Sequence, residues 1–256
     1  MIREQIAREL DHDPNFRWRG NSVTRIENLS DIVFALALGM LVSAASPPTT
    51  LTGLEAHLIS IIPITFGFAI MVLVWNAHFT YFRRYVLAGP WIVFLNAALL
   101  LAILFYAYPL RFVFDSFFGF VLALFGDWSR MDEMGLNSMR DAAKITAYYA
   151  AGHFAIFFIL QSMYQHALKK ADQLQLNEVE RTMTRRSIGQ YRLDCAIAIT
   201  VLLLAWYSPL GPMAGFVFAF AGFGNLILVR VYPLPEEATS QATDTIAPLQ
   251  TERFEP

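Results

Sequence analysis

The chain has 256 residues, of which 56% are hydrophobic and only 16% charged, with a formal net charge of −2 and 22 phenylalanines. Water-soluble domains carry about a quarter charged residues, so this balance belongs to a chain solvated largely by lipid. The near-neutral charge offers no basic field for nucleic acid, and the single cysteine, Cys195, excludes an internal disulfide and a cysteine-based zinc site.

In chain order, residues 1–12 read as a short amphipathic helix with Ile2, Ile6 and Leu10 on one face, within a cytoplasmic arm over 1–23. The polar stretch before the first apolar run is too long for the charged region of a signal peptide, so the first strong segment is expected to be retained. A membrane helix needs about 20 largely apolar residues. Six stretches qualify: Arg25–Ala45, Leu58–Phe79, Trp91–Leu110, Ala143–Tyr164, Leu193–Pro209 and Pro212–Tyr232. The first is the least apolar and the fifth is short. Phe112–Gly126 is apolar but for Asp115 and Ser116, and is too short to span comfortably. It reads as an extension of the third segment or an interfacial helix, with a re-entrant half-helix as the alternative. Residues 233–256, rich in Pro, Ser, Thr and Glu, read as a disordered cytoplasmic tail.

Loop charge sets the orientation, because basic residues stay preferentially on the cytoplasmic side. The N-terminal arm holds Arg3, Arg8, Arg17, Arg19 and Arg25. The loop after the second segment holds Arg83 and Arg84. The loop after the fourth holds Lys169, Lys170, Arg181, Arg185, Arg186 and Arg192. The loops after the first and fifth segments carry no Lys or Arg; only the loop after the third, with Arg111, Arg130, Arg140, Lys144 and several acidic residues, blurs the alternation. The expected architecture is an all-α membrane protein with six crossings over 24–232 and both termini in the cytoplasm.

A charge inside a bilayer costs about 2.5–3.5 kcal/mol on insertion scales, so the run Arg25-Ile26-Glu27-Asn28-Leu29-Ser30-Asp31 at the start of the first segment calls for an explanation. On a wheel of roughly 100° per residue, Arg25, Leu29, Ile32, Leu36, Met40 and Ser43 share one sector of about 80°. Asp31 lies outside it, so its partner is expected on another helix. Trp75, Asn76 and His78 on the second segment and Asn96 on the third sit at the same cytoplasmic depth. A buried network of Arg25, Ser30, Asp31, His78 and Asn96 would satisfy groups that water cannot reach.

Arg25-x-x-x-Leu29-Ser30-Asp31 resembles the Arg-x-x-x-Phe-Ser-Asp motif of the transmembrane protein 175 family, the endolysosomal potassium channels and their bacterial six-helix relatives. Ile32 to Leu38, Trp75, His78, Asn96 and Tyr108-Pro109 are also similar to that family, so the likeness covers mainly residues 24–110. Leu29 departs from the usual Phe but keeps a bulky apolar group. The resemblance implies a homotetramer in the cell membrane, with the first helix of each subunit lining a central pore. It implies potassium as the permeant ion, no cofactor or bound metal, and a constriction of apolar side chains in place of a carbonyl filter. Carried onto this chain, the constriction positions are Leu36, Met40 and Ser43. Family members carry branched apolar residues at these levels, so flexible Met40 and polar Ser43 leave Leu36 as the expected main constriction.

Other classes have weaker support. A secondary transporter would show an inverted repeat or paired broken helices, and Pro63 alone is an ordinary kink. A membrane enzyme would need His78, His153, Asp31 and Glu27 to converge, yet they lie on different helices without nucleophile or metal spacing. A non-conducting structural protein has no positive signature. Gly211, Gly215 and Ala219, at four-residue spacing, suggest a close-packing face on the last segment.

Overall fold

The computed structural model describes residues 16–20, 23–43, 48–136, 138–209 and 211–233. The expected amphipathic helix over 1–12 and the tail beyond 233 lie outside them. The described residues are helical throughout, with α1 Arg25–Val42, α2 Leu51–Ile59, α3 Ile61–Tyr85, α4 Pro90–Leu124, α5 Ser129–Glu133, α6 Met139–Lys169 and α7 Glu178–Tyr207. A 3-10 segment, Gly211–Phe220, then leads into α8, Ala221–Val231.

Local chemistry sets the helix starts. Thr24 and Glu27 form a reciprocal capping box at α1, and Asn177 and Glu180 form another at α7. Pro90 opens α4, where its missing N–H costs nothing. Ser138 caps α6 by accepting from the Asp141 backbone N–H.

Four helices, α3, α4, α6 and α7, are long and apolar enough to cross a membrane. α1 has 18 residues but includes Arg25, Glu27 and Asp31. The last expected crossing is divided between ten 3-10 residues and eleven α-helical ones. At about 2.0 and 1.5 Å rise per residue, the two together still reach across a hydrocarbon core of about 30 Å.

Three boundaries differ from the sequence expectation. The fifth segment is not short: α7 begins at Glu178, so Arg181, Arg185, Arg186 and Arg192 sit on its helical wall rather than in a loop. A polar sequence can be helical when it is well capped and laced with charge pairs, and hydropathy does not register that. α4 runs through Pro109 to Leu124, which makes 112–124 an extension of the third segment and not a re-entrant turn. Finally, residues 211–220 are 3-10 rather than α-helical, and of the close-packing face expected there Gly211 and Gly215 meet α6 while Ala219 does not. Gly211 lies against Ala205 and Ala143, Gly215 lies near Thr146, and Ala219 is exposed.

The core sits where α3, α4, α6 and α7 converge. Tyr81, Tyr85, Tyr164 and Tyr191 form a chain of ring contacts at 5.2–5.6 Å. Tyr85 Oη lies 2.7 Å from Thr184 Oγ1 and Tyr164 donates to the Ala77 carbonyl, whereas the buried Tyr81 hydroxyl has no partner among the described residues. α6 and α7 pack along their lengths, and α6 also packs on α4. α1 stands at the edge of this bundle and packs only on α4 and α3 among the main contacts.

Candidate pore helix and its polar anchors

α1 is buried on one side only. Glu27, Ser30, Phe34, Ala37 and Leu41, spaced alternately three and four residues apart, face α3 and α4. The opposite side carries Leu29, Ile32 and Leu36, which are 56%, 67% and 56% exposed. Arg25, Asn28, Asp31 and Ser43 are exposed too, and Gly39 has open space where a Cβ would stand. Met40 is half-buried and packs against the core, so it turns away from the stripe more than Leu36 does.

Behind the N-terminal half of α1 lies a small buried polar cluster. Asn96 Oδ1 stands 2.8 Å from His78 Nε2, and Asn96 Nδ2 donates to Ser30 Oγ at 3.0 Å. Ser30 also donates to its own helix at the Ile26 carbonyl, 2.8 Å away. Phe34 and Phe82 pack on the His78 ring and keep water out. The three helices are thus joined by one side chain from each, through Ser30 Oγ, the Asn96 amide and His78 Nε2.

Asp31 is held separately. Trp75 Nε1 donates to its Oδ1 at 2.9 Å, and the indole stacks on Phe79. The expected cross-helix partner is therefore present, but Asp31 does not join the Asn96 cluster. Arg25 does not join it either; among the described residues it has no ion pair or hydrogen bond through its side chain. Its place near α3 is taken by Glu27, which closes the capping box and lies 3.5 Å from Arg83. The acidic group also suits the positive end of the α1 dipole. The S/T-x-x-E spacing of Thr24 and Glu27 was the available sequence signal for this role.

Two further anchors were not legible as site residues. At the far end of α1, Arg111 of α4 donates to the carbonyls of Leu41 and Ser43, which a helix terminus leaves without intrahelical partners. Asp115 neutralises that guanidinium at 3.6 Å and also binds Arg130 at 2.9 Å. At the near end, residues 16–20 thread between α3 and α7. Arg19 makes a forked pair with Glu180 at 2.8 and 3.0 Å, and the Arg17 backbone N–H donates to the same carboxylate. Glu180 lies in the polar first turn of α7, ahead of the apolar stretch that follows Arg192. Burial would raise its pKa, but the Arg19 guanidinium and the Asn177 and Arg17 backbone N–H groups hold it below the usual carboxylate range.

His153 belongs elsewhere. It lies among Tyr149, Phe157 and Phe218, 4.0 Å from Asp194 of α7, and so does not converge with His78 or Asp31. No group of three metal-ligating side chains occurs among the described residues.

A helical bundle with four membrane-capable helices, and a one-sided helix pinned at its edge, defines a multi-pass membrane protein. Comparison with known proteins narrows the class. The family model described as the endosomal/lysosomal potassium channel TMEM175 matches residues 25–106, the stretch holding α1, α3 and the first half of α4. A protein of Marivirga tractuosa named "Potassium channel" is 33% identical over 206 residues, covering 78% of this chain and 81% of the relative. Among solved structures, a variant of the potassium channel MtTMEM175 bound to a nanobody–MBP fusion superposes with a TM-score of 0.76 at 31% identity, covering 86% of this chain and 97% of the other. A lysosomal potassium-selective channel TMEM175 homolog from Chamaesiphon minutus shares the fold, with a TM-score of 0.53 at 21% identity over 80% of this chain and 96% of the other. The chain belongs to the TMEM175 family, whose members are channels and not enzymes.

Proposed function

We propose that this protein is a potassium-permeable cation channel of the cell membrane, built as a homotetramer around a pore lined by α1. Each subunit crosses the bilayer six times, with both termini in the cytoplasm. The observation that carries the reading is the outward stripe of α1. A protomer that buries Phe34, Ala37 and Leu41 but leaves Leu29, Ile32 and Leu36 uncovered keeps large apolar side chains of α1 on the outside of the bundle. The exposed Arg25, Asn28 and Asp31 on that helix suit a wet entrance better than lipid.

In this reading, ions enter from the cytoplasm past Arg25 and Asn28 and meet rings of Leu36, then Met40, with Ser43 at the outer mouth. An apolar ring gives a dehydrated cation no ligand, so conduction needs a ring wide enough for the ion to keep water, and closure is dewetting. Leu36 is the main constriction because, of the three constriction positions, it alone is both bulky and exposed: Met40 is half-buried and Ser43 is small and polar. Ser30, Trp75, His78 and Asn96 do not touch the ion; they fix the rotation of α1 about its axis. Potassium is the permeant species, and no cofactor takes part.

The test is potassium flux into liposomes holding the purified protein. Wild type should conduct, and Leu36→Ala should raise flux or admit larger cations, with Met40→Ala giving a smaller change. Silence of wild type and both variants under a potassium gradient would contradict the reading.

A further inference from the structure

Away from α1, the cytoplasmic ends of α6, α7 and α8 border an open pocket of about 360 Å³. Lys169 from the last turn of α6 and Arg185 and Arg192 from one face of α7 surround it. Leu168 and Ile188 form its apolar wall and Tyr232 its rim. Arg185, Ile188 and Arg192 are three and four residues apart, which places them on one side of the helix.

The cavity has a built shape. Leu228 of α8 lies against Gly189 and Leu193 of α7 against Gly224; an added Cβ would fall 2.7 and 2.1 Å from those leucines. The two helices therefore approach closely just beside the cavity. Arg186 then donates to the Tyr232 carbonyl at 2.7 Å and fixes the end of α8 at the rim.

Its cations have no acidic partner among the described residues: Lys169, Arg185 and Arg192 form no ion pair there. The nearby carboxylates Asp172 and Glu178 are engaged by Arg181 instead. Depth supplies the last element. Lys169 closes the apolar α6, Arg192 immediately precedes the apolar run of α7 that starts at Leu193, and Tyr232 follows α8. Three membrane-reaching segments thus bring three unpaired cations and an apolar wall to headgroup level.

We propose that this cavity binds the phosphate headgroup of an anionic phospholipid, with Lys169, Arg185 and Arg192 around the phosphate and Leu168 and Ile188 against the start of the acyl chains. Basic pockets between membrane helices suit such headgroups because the charges meet where water is scarce and an acyl chain can follow an apolar wall. The site lies on α6–α8 and is independent of whether α1 conducts.

The experiment is thermal unfolding of the full chain in detergent micelles doped with phosphatidylglycerol or, at equal amount, phosphatidylcholine. Phosphatidylglycerol should raise Tm by about 5 °C over phosphatidylcholine, as expected for a ligand well above its Kd. The double variant Arg185→Gln/Arg192→Gln, changed only at exposed positions, should lose that shift. Arg181→Gln, on the same helix but paired outside the cavity, should keep it. The proposal is overturned if the double variant retains the shift, if Arg181→Gln loses as much, or if millimolar inorganic phosphate alone reproduces it.

Discussion

Asn96→Leu isolates the polar join behind α1. Leucine keeps the branched skeleton of asparagine without its polar atoms, so both hydrogen bonds are lost, and its larger methyl groups can only add crowding to that loss. Ser30 retains its bond to the Ile26 carbonyl, but His78 Nε2 loses its one partner among the described residues. An orphaned buried polar group costs about 1–3 kcal/mol, and a hydrogen bond between membrane helices adds about 0.6 kcal/mol. The expected loss is therefore about 2–3 kcal/mol, or a Tm lower by about 4–12 °C for a chain of this size. His78→Leu alone should cost less, because Asn96 Nδ2 keeps its bond to Ser30 and only Oδ1 loses its short partner. The pair Asn96→Leu/His78→Leu removes both polar groups together and should cost clearly less than the sum of the two single changes. Thermal unfolding in detergent reads all three. Additive losses, or a neutral Asn96→Leu, would refute the reasoning that mutual satisfaction holds these helices together.

Three further outcomes follow from the geometry of α1 and its anchors. Gly39→Ala meets open space within the protomer and improves helix propensity by up to about 1 kcal/mol, so Tm should hold or rise while potassium flux falls, because the new methyl lies beside the Leu36 level. Arg111→Gln weakens the cap on the Leu41 and Ser43 carbonyls, bonds to a charged group worth about 1.5–3 kcal/mol; amide exchange over residues 40–43 should quicken, and Arg111→Lys should restore it in part. Glu180→Gln unpairs Arg19, so trypsin should cut after Arg17 or Arg19 faster than in wild type. Because the Glu180 pKa is depressed in the folded protein, the wild-type tether should hold at neutral pH and fail only as pH falls through a value below the ordinary glutamate range.

Much of this was legible from residue patterns. The Arg25 to Asp31 run named the helix, and the wheel separated its stripe from Asp31 without any partner in view. Depth matching then named Trp75, His78 and Asn96, because polar groups at one level of adjacent helices must find each other where water is absent. What hydropathy missed has a common physical cause. The first turns of α7 are polar and helical, held by the Asn177 cap and by Arg19, and the 3-10 segment is apolar but not α-helical. Apolarity reports what faces lipid, not where backbone hydrogen bonding begins or changes register. Arg111 was read only as a loop charge, because a carbonyl acceptor on another helix leaves no trace in side-chain composition. Arg25 shows the converse, since its motif implies the buried network while its stripe position points it outward.

The most direct test of the central claim is access of an aqueous reagent to the α1 stripe during conduction. Cys195 is buried, so Leu36→Cys supplies a reactive thiol on a nearly clean background. A charged, membrane-impermeant methanethiosulfonate should block potassium flux through Leu36→Cys liposomes, while leaving wild type and Ala37→Cys, on the buried face, unchanged. Equal flux before and after the thiol at position 36 has been modified would place the conduction path elsewhere.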